Sequence, residues 1–165
     1  MDYFEVDRPE DFLSKSFDIL NVFYKEANAE SCAIIFECLA KFLKKNNIVP
    51  IPYTAEDLMS RILRDYTGNF LTDDVKYWFL ETLSQILREM EIAERLIVQK
   101  KFVIFLIENL LDVKYTLVAI ECLTNFIKYN NLKLYCVSLG IYVILLSLIF
   151  RDDIDREIKE KADKI

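Results

Sequence analysis

Apolar residues recur along the chain at three- and four-residue steps, in one segment after another. Residues 10–27 place Phe12, Leu13, Phe17, Ile19, Leu20 and Phe23 at helical spacing, and Pro9 stands where a helix's first turn needs no amide donor. Residues 30–46 repeat the signal through Ala33, Ile34, Phe36, Leu39, Ala40 and Phe42. Asn46-Asn47 is expected to stop that helix, and Pro50 and Pro52 to hold a stiff extended link. Thr54, with Asp57 three residues later, has the form of a capping box and predicts a helix to about Tyr66, ended by Thr67-Gly68-Asn69. Thr72 or Asp73 caps the next helix, through about Met90. Further helices are predicted over 93–111, over 113–130 with Asn130-Asn131 as its stop, over 132–150 and over 152–164. The links are short, so the expectation is a single all-α domain over residues 1–165 with seven or eight helices.

The helices also repeat. FECLAKFLKKNNI at 36–48 aligns with IECLTNFIKYNNL at 120–132, with seven of thirteen positions identical. LETLSQILREMEI at 80–92 lies between them and keeps the same frame: Glu37, Glu81 and Glu121; Leu39, Leu83 and Leu123; a base at Lys44, Arg88 and Lys128; and a closing aliphatic residue. The offsets of 44 and 40 residues give a period in the armadillo and HEAT range. The units read as 10–46, 54–91, 93–130 and a shortened 132–165, with each apolar face buried by its neighbours. Glu and base lie seven apart in each unit, which puts them on one stripe; a solvated face and a binding surface both fit that placement.

Composition narrows the chemistry. Among 165 residues there are two glycines, three prolines and no histidine, while 53% are hydrophobic, 13% aromatic and 29% charged. So little Gly and Pro disfavours strand-rich folds, phosphate-binding loops and linkers. Lacking His removes Ser-His-Asp and Cys-His catalysis and His-ligated metals. The net charge of −6 comes from 21 basic and 27 acidic residues, and neither half of the chain is basic, which argues against nucleic acid as a partner. Cys32, Cys38, Cys122 and Cys136 lie in apolar helical stretches without a CxxC, and are expected to be buried thiols of a reducing compartment. The N-terminus has no apolar run of a secretory signal, so the expected location is cytoplasm or nucleus and the chain is not expected to be secreted. No cofactor, metal site or catalytic group is expected: Asp152, Asp153 and Asp155 sit where a helix starts, and capping accounts for them.

LVAIECLTNFIK at 117–128 resembles the third helix of an armadillo unit, and VSLGIYVILLSLI at 137–149 resembles the junction of first and second helices, where a Gly permits a sharp bend. AERLIVQKKFVIFLIENLL at 93–111 is similar, with Gln99-Lys100 where that Gly would stand. The resemblance implies a right-handed α-solenoid of about three and a half armadillo/HEAT-like repeats whose third helices line a concave groove. In that family an Asn amide clamps the backbone of an extended peptide; the matching position is Asn125, with Gln85 and Lys41 as counterparts. Glu37, Glu81 and Glu121 stand where nuclear-import adaptors carry Trp, an acidic stripe suited to a basic or amphipathic partner.

The run Tyr77-Trp78-Phe79 spans 200° of helix and cannot face a single core, so Trp78 is the anchor candidate, with packing beneath an adjacent helix as its other reading. The candidate partner-binding residues are therefore Asn125, Gln85, Lys41, Glu121, Glu81, Trp78 and Tyr129. The expected function is a non-enzymatic scaffold or adaptor binding a peptide or helix of another protein. Alternatives are an Hsp70 nucleotide-exchange regulator, and a subunit or fragment of a larger assembly or a homodimer through the C-terminal repeat face. The uncharged run 134–150 raises a minor reading as a tail anchor. It falls in repeat register and lacks a one-sided basic flank, so no membrane partner is expected.

Overall fold

Helix is the only regular structure among the described residues. The computed structural model describes residues 8–46, 50–65 and 71–165. Ten helices follow in order: α1 Pro9–Lys25, α2 Ala29–Lys45, α3 Tyr53–Asp65, α4 Asp73–Ile86, α5 Met90–Ile97, α6 Lys100–Leu111, α7 Thr116–Phe126, α8 Asn130–Ser138, α9 Ile141–Phe150 and α10 Arg156–Asp163. The predicted Thr67-Gly68-Asn69 stop, Asn47 and Ile48 lie outside the described residues. Contacts divide the chain into two compact units, Met1–Thr82 and Leu83–Ile165, the division falling inside α4.

In the first unit α1 packs on α2 and on α3. Leu13, Phe17 and Leu20 of α1 and Cys32, Phe36, Leu39 and Leu43 of α2 form the buried stripes, joined by Leu58, Met59, Ile62 and Leu63 of α3. Phe12 stacks at a tilt on Phe42 with ring centroids 4.5 Å apart, and Phe36 meets Phe79 edge-on at 5.5 Å. Ile19 and Ile34, expected on the apolar faces, are exposed, because each lies off the stripe its helix turns inward. Asn46 does end α2: its backbone and side-chain amides both donate to the Phe42 carbonyl. Helix α3 begins at Tyr53, directly after Pro52, so Thr54 falls inside its first turn and not at the cap.

In the second unit α6 packs on α7 and α9, α9 on α8 and α10, and α7 on α10. Phe102, Phe105, Leu106, Tyr115, Ile120, Leu123, Phe126, Ile141, Leu145 and Leu148 fill its core. Two of the predicted helices are broken, which accounts for ten helices where seven or eight were expected. The 93–111 segment breaks after Val98, where Gln99 turns extended (φ −80°, ψ 112°). The 132–150 segment breaks at Gly140, whose φ of 73° lies in the left-handed region, and α8 and α9 meet there at 75°. Gln99 stands 41 residues before Gly140 and makes its break through extended backbone, which any side chain tolerates; no glycine is needed there. Met90 and Asn130, read as helix ends, instead open α5 and α8 behind extended residues Glu89 and Tyr129.

Polar ties between helices recur at nearly one separation. Arg61 donates to Asn21, Tyr24 to Asp65, Asn125 to the Ser84 carbonyl, Tyr129 to the Arg88 carbonyl and Lys161 to Glu121, each joining residues 40 or 41 apart. Thr82 to the Phe36 carbonyl and Asn131 to Glu94 span 46 and 37.

Candidate functional site

Three of the predicted site residues meet in the first unit. Trp78, on α4, is half-buried, between exposed Tyr77 and fully buried Phe79. The Lys41 ammonium of α2 lies over the Trp78 ring, 5.5 Å from its centroid, and is ion-paired to Glu37 one helical turn earlier. The Tyr77 ring meets Trp78 edge-on at 5.1 Å, while its hydroxyl donates to Glu81 Oε1 across 3.2 Å. Lys41, Trp78 and Glu81 thus form one cluster with Glu37 and Tyr77: an aromatic surface, a cation above it and two carboxylates beside it.

The other four residues lie in the second unit, each with a polar group hydrogen-bonded to a neighbour. Ser84 is within the last turn of α4, whose final carbonyls lack intrahelical partners. The Leu83, Gln85 and Ile86 carbonyls accept from the backbone amides of Leu87, Arg88 and Glu89. The Ser84 carbonyl accepts from Asn125 Nδ2 of α7 at 2.7 Å, and Asn125 Oδ1 accepts from Lys128 Nζ at 2.7 Å. One turn on, the Tyr129 hydroxyl donates to the Arg88 carbonyl. Asn125 and Tyr129 therefore finish the C-terminus of a helix 41 residues upstream. Gln85 is buried: its Nε2 donates to Ser84 Oγ at 3.0 Å, and its Oε1 has no hydrogen-bond partner.

Glu121 accepts from Lys161 Nζ at 3.1 Å, and the same ammonium lies 3.4 Å from Glu157. Burial works against the Lys161 charge, but the two carboxylates outweigh it and hold its pKa above the ordinary lysine value. Lys161 stands one period beyond Glu121, so the register that carries Glu three times closes with the opposite charge. Lys128 was read from sequence only as the base of the repeat frame, and Ser84 and Lys161 were not singled out.

Three cysteines are buried, but Cys38 is exposed, against the expectation for all four. Cys32 and Cys38 are six apart on α2, so they take different faces and only the first turns inward. Burial pushes the Cys32 and Cys136 thiols up to about 11. Asp155 caps α10 by accepting from the Glu157 amide, and Asp153 is held below the usual carboxylate range by its hydrogen bonds from Arg151. Among the described residues no three Cys, Asp or Glu side chains gather to hold a metal ion. No single helix there is long and apolar enough to cross a membrane. No family model matches the chain, and neither a curated protein nor a solved structure matches it significantly.

Proposed function

We propose that the chain is a non-enzymatic protein-interaction scaffold, built on an armadillo/HEAT-like plan, that binds a basic or amphipathic peptide or helix of a partner protein. The repeat plan is supported by the 40- and 41-residue spacing of the polar ties and, within the second unit, by the packing of α6 on α9 and α7 on α10. The binding reading rests on the Trp78 cluster. Tryptophan is among the residues that most often anchor protein interfaces. A cation over a half-buried ring is worth about 0.5–2 kcal/mol, so an incoming cation or aromatic group displaces Lys41 at modest cost. Glu37 and Glu81 then favour a basic ligand. Asn125 belongs to the scaffold in this reading, because both ends of its amide are already engaged.

Trp78 is the sole tryptophan, so its emission reports its own site. Basic peptides, helical and extended, are expected to shift that emission, and acidic peptides of equal length to leave it unchanged. Calorimetry with Trp78→Ala, and separately with Glu37→Gln plus Glu81→Gln, should show affinity at least ~10-fold weaker. Retained affinity in both variants, or no response to any basic peptide, removes the cluster from consideration as the site.

A further inference from the structure

We infer that the outer faces of α8 and α9 form a self-association surface that pairs with the same surface of a second copy of this chain. On α9 the buried residues Ile141, Leu145 and Leu148 define the inner side, and at 100° per residue Val143, Leu146 and Phe150 point the opposite way. They are 71%, 54% and 80% exposed. On α8, Leu134 and Val137 lie opposite buried Leu132 and Cys136 and are 70% and 51% exposed. A helix apolar nearly all round belongs in an interior, yet this one, whose outer side carries Ser147 as its only strongly polar residue, has half its circumference in water.

The size and sequence of the surface favour a second copy. At about 150–200 Å² of total surface for each such residue, these exposures leave on the order of 500–600 Å² of apolar surface across the two helices, near the top of the range for a monomer's largest patch. With rim residues added this approaches the ~800 Å² per partner of a stable interface. Val143, Leu146 and Phe150 also grade from small to large. Antiparallel pairing of two α9 helices about a twofold axis at Leu146 sets the large Phe150 of one copy against the small Val143 of the other. Such a contact is isologous and closed. No charge lies on the stripe, so no like charges meet across the axis. A lipid surface fits less well: Asp152 and Asp153 are exposed immediately beyond α9 and repel anionic headgroups.

Sedimentation velocity on the full chain up to about 100 µM is expected to show 39 kDa, twice the 19.5 kDa of one chain. The double variant Leu146→Glu, Phe150→Glu should raise the dimer Kd roughly 100-fold or more, with far-UV circular dichroism unchanged. Ile34→Glu, at an exposed apolar position of α2, should leave it unaltered. Independently of those charges, Leu146→Cys in a Cys38→Ser background should form a disulfide-linked dimer on oxidation. The inference is overturned by a monomer throughout with no cross-link, by a dimer indifferent to the double substitution, or by a monomer that binds phosphatidylcholine vesicles through this face.

Discussion

The side-chain amide of Asn125 donates across 2.7 Å to the backbone carbonyl of Ser84, 41 residues earlier. It supplies the end of α4 with a partner that α4 cannot provide for itself. Replacing Asn125 with Ala removes this buried inter-helix hydrogen bond and is expected to cost about 1–2 kcal/mol. Tyr129→Phe removes a more exposed bond to the Arg88 carbonyl and should cost about 1 kcal/mol or less. Urea denaturation of both variants checks the order; equal stability of Asn125→Ala and wild type would sink the capping account.

Ala27 has a φ of 53° and closes α1 with a Schellman pattern, in which the Asn28 amide donates to the Phe23 carbonyl and the Ala27 amide to that of Tyr24. An L-residue held left-handed costs about 1–2 kcal/mol, and glycine's extra freedom in the unfolded chain offsets part of the relief. Ala27→Gly should therefore stabilise by roughly 0.5–1 kcal/mol. Gly140 gives the converse: a Cβ there meets nothing within 4 Å, so Gly140→Ala destabilises by about 1 kcal/mol through backbone strain alone. Thermal melts should move in opposite directions for the two variants.

Tyr24 is pushed up to about 12, first by burial and then by its hydrogen bond to Asp65. Its neutral form is the one the fold favours. The stability it contributes is complete below pH 10, the unfolded value, and is lost as pH rises through 12. Tyr24→Phe should lower the urea midpoint at neutral pH and lose less than wild type between pH 10 and 12. Parallel pH profiles for the two proteins would contradict this.

Cys38 is the exposed thiol, and burial disfavours the thiolate at Cys32 and Cys136. A thiol reagent such as Ellman's should modify one cysteine quickly in the native chain, with the others slower by ~100-fold or more until unfolding. Cys38→Ser should remove the fast phase. If that phase persists, the exposure assigned along α2 is wrong.

Gln85 keeps a buried carbonyl oxygen without a partner. Such a group costs about 1–3 kcal/mol, against about 1 kcal/mol for the hydrogen bond its amide makes to Ser84. Gln85→Met retains length and apolar packing and should stabilise the protein by about 1 kcal/mol. A loss of more than that on chemical denaturation would mean the oxygen is satisfied in solution.

Helix content was legible because it is written in side chains, through apolar spacing and Asn46 as a stop. The break at Gln99 was not, because extended backbone there needs neither Gly nor Pro and leaves no residue to signal it. The break at Gly140 left such a residue, and the bend could be anticipated from it. Asn125 was singled out through the armadillo resemblance, as the position of a peptide-clamping amide. Its partner is a backbone carbonyl, which every residue carries, so no pattern could single out Ser84. Lys41 and Trp78 lie on separate helices, and only the fold brings them together.

The near-constant spacing of the polar ties also bears on how the chain folds. Each tie closes a loop of about 40 residues within one unit. Loop-closure entropy rises only slowly with length, so closing such a loop costs little more than closing one half as long. On the armadillo/HEAT-like plan proposed above, folding would begin wherever two neighbouring helical segments first meet and spread by nearest-neighbour docking.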